Sequence, residues 1–323
     1  MNRRSPIAFL GLLVGFGLGF FGQSAAAKEK PCQTLKGNLT IASASDWRKL
    51  VERGCVEITG DLNITASTLT SLEGEAQVAT IGGALILSET SKVATLTFPA
   101  LTSIGGLDLA DSNALKSLRL PALTTVGDVG AGTSVAVLSL PSLTKARDFY
   151  VMNNEALTEL NLPALVDVRE LGVSNNGALT HVSLATLKKG GRLSIDNNAA
   201  LTNLSLPTLA VFDKLNLAYD VALTTLNLPA LSRAEYLVVF KNATLTTINL
   251  PSLASADFLE IVGNEALTRL QLPGLKKVAM SLIISNNAAF SQCQVAAITK
   301  QLDPGGWTKL PNLSGNKSTA ACP

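Results

Sequence analysis

The stretch ALTELNLPALVDVRELGVSNNG, Ala156–Gly177, is followed by ALTHVSLATLKKGGRLSIDNNA from Ala178 and ALTNLSLPTLAVFDKLNLAYDV from Ala200, three consecutive phrases of 22 residues. The proline of the phrase falls at 99, 121, 141, 163, 207, 229, 251 and 273, and Ala185 holds the missing place. Every step is 22 residues except one of 20. A period this regular is the signature of a solenoid, in which each repeat touches only its neighbours.

Within one phrase the apolar residues are Leu157, Leu160, Leu162, Leu165, Val168, Leu171 and Val173. Two short runs alternate with period two: LxL just before the proline, and LxI eight to ten residues after it. Each coil therefore contributes strands to at least two parallel sheets. Seven apolar side chains do not offset the entropy of ordering 22 residues, so a lone coil cannot fold and stacking is obligatory. The LxI positions run from Leu39 through Leu62, Leu85, Leu107, Val129, Phe149, Leu171, Leu193, Leu215, Leu237 and Leu259 to Leu282. The expected fold is all-β: a right-handed parallel β-helix of about twelve 22-residue coils, with short capping helices at both ends.

Composition agrees. The chain is 47% hydrophobic but only 5% aromatic, so its core is built from Leu, Val, Ile and Ala. Its 26 basic and 24 acidic residues provide no basic footprint for nucleic acid. Arg3 and Arg4, the apolar run Ile7–Phe21 and the small residues Ala25–Ala27 read as a signal peptide over 1–27. The run falls short of the ~20 apolar residues of a spanning helix, so no integral membrane segment is expected in the mature chain. The remainder, 28–323, reads as one solenoid domain: N-cap 28–60, repeats 61–290 and C-cap 291–323.

Four cysteines sit at the two ends. In an oxidising compartment the local pairing Cys32–Cys55 and Cys293–Cys322 is the natural one of the three available. Metal-ligand spacings are missing, and the single histidine, His181, is far from every cysteine, so neither a metal nor a cofactor is expected. Ser45 reads as the cap of a helix containing Trp47, a plug over the first coil. Ser291 caps a second helix that ends before Asp303 and Pro304. Asn154, Asn176, Asn198, Asp220, Asn242, Asn264 and Asn287 repeat at one corner and read as a structural ladder. Sequons at Asn38, Asn63, Asn203, Asn242, Asn312 and Asn316 are no more than Asn and Thr abundance produces.

GNLTI from Gly37, following Cys32, and VEITGDLNI from Val56, following Cys55, resemble the opening of receptor L domains. The later repeats and the NN and GN pairs before Cys293 and Cys322 resemble bacterial and fungal surface proteins of that superfamily. The resemblance, which covers 30–323, implies a right-handed β-helix. It favours this over a leucine-rich-repeat horseshoe, because Leu165, Leu231 and Leu253 stand where such repeats carry Asn. It carries over neither signalling nor any ligand-binding residue.

On the long sheet the positions flanking the inward LxI residues face out. Tyr236, Val238 and Phe240 on one coil, with Phe258, Glu260 and Val262 on the next, make an apolar aromatic patch, extended by Tyr219 and Ile283. Tyr150 and Met152 make a smaller one. Such surface marks an interaction site. In the same register lie Asp128, Asp148 and Glu170, with Asp108 nearby, close enough to raise one another's pKa, to hold calcium, or to pair with Arg192 and Lys214 further along. The function expected is that of an exported, non-enzymatic binding protein, in the periplasm, on the cell surface or outside the cell. Its partner is a protein or glycan, or a second copy of itself. The alternatives are a carbohydrate-active enzyme using the acidic row and a purely structural envelope component.

Overall fold

The computed structural model describes residues 31–302 and 311–318, apart from 69, 71, 73–75, 88–91, 110–111 and 133–134. Residues 1–27, on which the signal-peptide expectation falls, and Asp303, Pro304 and Cys322 lie outside the described residues. The chain is a parallel β-solenoid of about eleven turns: one strand per coil is added, always in parallel, from Gln33–Leu35 to Lys277–Ser285, making twelve successive positions in a single long sheet. The LxL runs form a second row, divided into three sheets of three strands each. Inside are the alternating Leu, Val and Ile residues read from the phrase, with Leu160, Leu162, Leu165, Val168, Leu171 and Val173 all buried.

Corner hydrogen bonds hold the coils in register. The Oδ1 of Asn176 accepts from the backbone N–H of Asn154 at 3.0 Å, and that of Asn198 from Asn176 at 3.2 Å. The pattern continues through Asp220, Asn242, Asn264 and Asn287 to Asn316 in the C-terminal segment. Each amide nitrogen also donates to a carbonyl of the preceding coil, as Asn176 Nδ2 does to Val151 and Asn242 Nδ2 to Leu217. The left-handed residue of this corner is the one before the ladder position: Asn153, Asn175, Asn197, Tyr219, Lys241, Gly263 and Asn286 all have positive φ. The ladder starts next to the one short coil, where Asn154 Oδ1 accepts from Val135 N at 3.2 Å. Because Asn242 is wholly buried and bonded here, its sequon is closed to modification in the folded chain.

Both ends are closed by helices. In α1 (Ala44–Glu52) the N-cap is Ser43, not Ser45: its Oγ accepts from Asp46 N at 3.3 Å and donates to Asp46 Oδ2 at 2.7 Å. A reciprocal pair satisfies donors that Ser45, already inside the helix, cannot reach. Trp47 is buried in the core and packs edge-on to Phe98 at 5.8 Å, at the start of the LxL row. Cys32 and Cys55 form a disulfide across the first two coils. Cys293 is also disulfide-bonded. In α2 (Gln292–Gln301), capped by Ser291 as expected, Val295 and Ile298 bury against the last coil. Gln294 and Gln301 donate to the carbonyls of Thr268, Leu272 and Leu275, which would otherwise end the stack unbonded.

The ladder makes a direct prediction. Asn176→Ala strips the Asn154 N–H and the Val151 carbonyl of buried partners, and urea unfolding should report a loss of about 2–4 kcal/mol. Asn249→Ala, which removes only an exposed bond to Asn227, should change stability by less than about 0.5 kcal/mol.

Candidate functional site

Strand register sets the outer face. Asp128, Asp148, Glu170, Arg192, Lys214, Tyr236 and Phe258 are directly paired partners on successive strands, so they form one column along the sheet. The next outward column runs Gly130, Tyr150, Gly172, Ser194, Asn216, Val238 and Glu260. Inward residues alternate with these as the phrase requires, Leu237 and Val239 being buried while Val238 and Phe240 are half-buried.

The acidic part of the column is internally matched. Arg147 grips both oxygens of Asp128, its Nε at 2.7 Å, and Arg169 pairs with Asp148. Tyr150 lies against Gly172 and donates its hydroxyl to Glu170 Oε2 at 2.6 Å. Glu170 therefore takes the phenol, not an ion pair with Arg192, as its direct partner. The guanidinium of Arg147 holds the Asp128 carboxyl below the usual carboxylate range. The Tyr150 hydroxyl does the same for Glu170, while that bond pushes the phenol up to about 12. Asp128 and Glu170 thus shift in the direction opposite to mutual carboxylate repulsion, because each has a donor nearer than the next acid. Among the described residues no group of His, Cys, Asp and Glu could hold a metal ion. His181 lies on the LxL row, hydrogen-bonded to Thr180 Oγ1.

The aromatic part of the face consists of two ring pairs. Tyr236 and Phe258 stack in parallel, their centroids 4.3 Å apart and their planes within 6°. Tyr219 meets Phe240 edge-on at 5.4 Å. Each pair carries a cation: Lys214 Nζ lies 5.1 Å from the Tyr236 ring, and Lys241 Nζ lies 5.1 Å from Phe240 and 5.8 Å from Tyr219. Tyr236 and Tyr219 remain 36% and 44% exposed, and Val238, Phe258 and Val262 are half-buried between them. The described C-terminal residues 311–318 pair with the edge of the last strand through Asn312 and Ile283 and leave this patch open. Sequence reading placed Lys214 in the outward row without its contact to Tyr236, and missed Lys241. The spacing carried the signal for that contact, since Lys214 sits one coil before Tyr236 in the same column.

A separate groove of about 1170 Å³ runs along the first half of the long strands between Ile104 and Asp213. Its lining carries Lys145, Arg147, Arg169, Lys188 and Lys189 against Asp167 and Asp213, and Arg147 and Arg169 are the residues paired with Asp128 and Asp148.

A scan against protein families finds no match, and neither does a search of curated proteins. Among solved structures, a leucine-rich repeat protein from Eubacterium ventriosum is similar over 89% of this chain and 91% of that one, with 13% identity and a TM-score of 0.28. The fold assignment rests on strand pairing rather than on that likeness.

The Tyr150–Glu170 bond can be read spectroscopically, since the chain has only 3 tyrosines. Glu170→Gln removes the acceptor charge, so alkaline ultraviolet titration should show one phenol falling from about 12 towards its ordinary 10. An unchanged titration would mean that the bond is not formed in solution.

Proposed function

We propose that this protein is an exported, non-enzymatic binding module that presents the long sheet to a protein or glycan at the cell envelope or outside the cell. The observation that carries this is the open aromatic patch, two ring pairs on neighbouring coils with a lysine against each. Rigid aromatic anchors commonly dominate binding energy, and the cations give the patch polarity as well as apolar area. The apolar leader at 7–21 and the disulfide Cys32–Cys55 favour an oxidising compartment. The resemblance to receptor L domains points the same way.

Polysaccharide cleavage by the acidic column is the weaker reading. A glycosidase acid must hold its proton near neutral pH, whereas Asp128 and Glu170 are kept ionised by Arg147 and Tyr150.

Changing Tyr236, Phe240 and Phe258 together to Ser should weaken capture of envelope proteins or of an arrayed glycan, or weaken self-association, by at least about tenfold. The melting temperature should fall by only a few degrees, since all three side chains project outward from the Leu layers. Retained binding in a folded triple variant would refute the patch. Loss of polysaccharide turnover on changing Asp128, Asp148 and Glu170 to Asn or Gln would instead establish the enzyme.

A further inference from the structure

One position of the corner ladder breaks its chemistry. Asp220 stands where six coils have Asn, and it is as fully buried as they are. Its Oδ1 does what theirs does, accepting from Asn198 N at 2.8 Å and Asn198 Nδ2 at 3.1 Å. Its Oδ2 occupies the place of an amide nitrogen and has no hydrogen-bond partner. In coils on both sides that nitrogen donates to the carbonyl 25 residues earlier: Asn198 to Val173, and Asn242 to Leu217. The equivalent carbonyl for Asp220 is Ile195. A carboxylate there would set one acceptor against another, whereas a protonated carboxyl reproduces the amide's pattern of one acceptor and one donor.

We propose that the folded solenoid holds Asp220 as the neutral acid, its Oδ2 proton bonded to the Ile195 carbonyl, and that release of this proton to solvent is a pH-sensitive joint in the aromatic corner. Ionisation breaks one O–H···O=C bond and leaves a buried negative charge. Among the groups around it, Asp196 opposes that charge, and only the backbone and side-chain N–H groups of Asn198 favour it. Lys241, beside the ladder neighbour Asn242, directs its ammonium over the Phe240 and Tyr219 rings instead. Burial accordingly pushes the carboxyl up to about 7 from 3.8. Since the folded value lies above the unfolded one, the stabilisation is complete below about pH 4 and declines as pH rises to about 7.

The strain of the corner falls on the binding face. Tyr219, immediately before Asp220, has a φ of 59°, and Lys241 a φ of 51°, conformations that neither side chain favours. The ladder bond from Asp220 N to Asn242 Oδ1 ties these two residues together. Loosening it releases Tyr219 and Lys241 from Phe240, so the patch is better ordered in mildly acidic than in alkaline solution. This consequence for binding rests on the reading of the patch given above; the protonation of Asp220 does not.

The test uses the full chain and Asp220→Asn, which installs the ladder's usual residue. Infrared difference spectra should show a protonated carboxylic acid at about pH 5 that titrates away near neutrality in the wild type and is absent from the variant. Melting temperatures of the two should coincide at about pH 4 and separate by several degrees at about pH 8.5, the variant being the more stable. Corrected for intrinsic rates, exchange of the Tyr219 amide should quicken at least about tenfold over the same range in the wild type alone. A missing carboxylic-acid band at pH 5, or a variant no more stable than wild type at pH 8.5, would overturn the proposal. Normal titration with unaltered Tyr219 exchange would overturn the joint. Loss of binding in the aromatic variants bears only on the patch.

Discussion

Each coil of this protein completes its backbone hydrogen bonding only through the coil beside it. At the corner this dependence is explicit: the N–H of one ladder residue is satisfied by the side chain of the next, whose own amide reaches back to a carbonyl of the preceding coil. Buried polar groups are costly when unpaired and specifying when paired, so the ladder fixes rotation and rise as well as adding stability. Leu layers alone would tolerate sliding by one strand spacing. The asparagines do not, since displacement by a residue would orphan a whole line of donors.

From that locked register comes the character of the surface. Residues 22 apart in sequence become direct neighbours, and a substitution in one coil is answered in the next. The carboxylates of Asp128 and Asp148 draw Arg147 and Arg169 from neighbouring coils. Tyr150 fills the space left by Gly172 and reaches Glu170. Gly190 likewise leaves room for the ring of Phe212, which lies where a side chain at 190 would be. The aromatic patch is the place where this mutual compensation remains partly open to solvent, and its corner is where the ladder carries an acid in place of an amide.

The coil length, the inward Leu positions, the polar corner and the outward aromatic column were legible in the sequence because all follow from a fixed period and a strand's alternation. Contacts that leave the alternation were not. Arg147 and Arg169 stand at a bend of the long strand that the paired register skips, and period-two reasoning gives no direction for a side chain there. The helix cap lay two residues earlier than expected because Ser43 and Ser45 are both acceptable caps locally, and the reciprocal bond with Asp46 decides between them. Trp47 meets Phe98 because α1 lies at the start of the LxL row, a placement set by tertiary packing alone. The left-handed residues lie one position before the ladder asparagines, where no single residue type marks them.

The dependence of every coil on its neighbour is tested most directly by removing one. Deleting Ala178–Ala199, a complete coil, brings Asn176 next to Asp220 in the ladder and Leu171 next to Leu215 in the long sheet, so all columns re-form. The shortened protein should keep its β-sheet circular dichroism and a single cooperative thermal transition. Deleting half a coil, 178–188, places LxI residues against the turn and should abolish that transition. A half-coil deletion that melts as cooperatively as the whole-coil deletion would contradict the account.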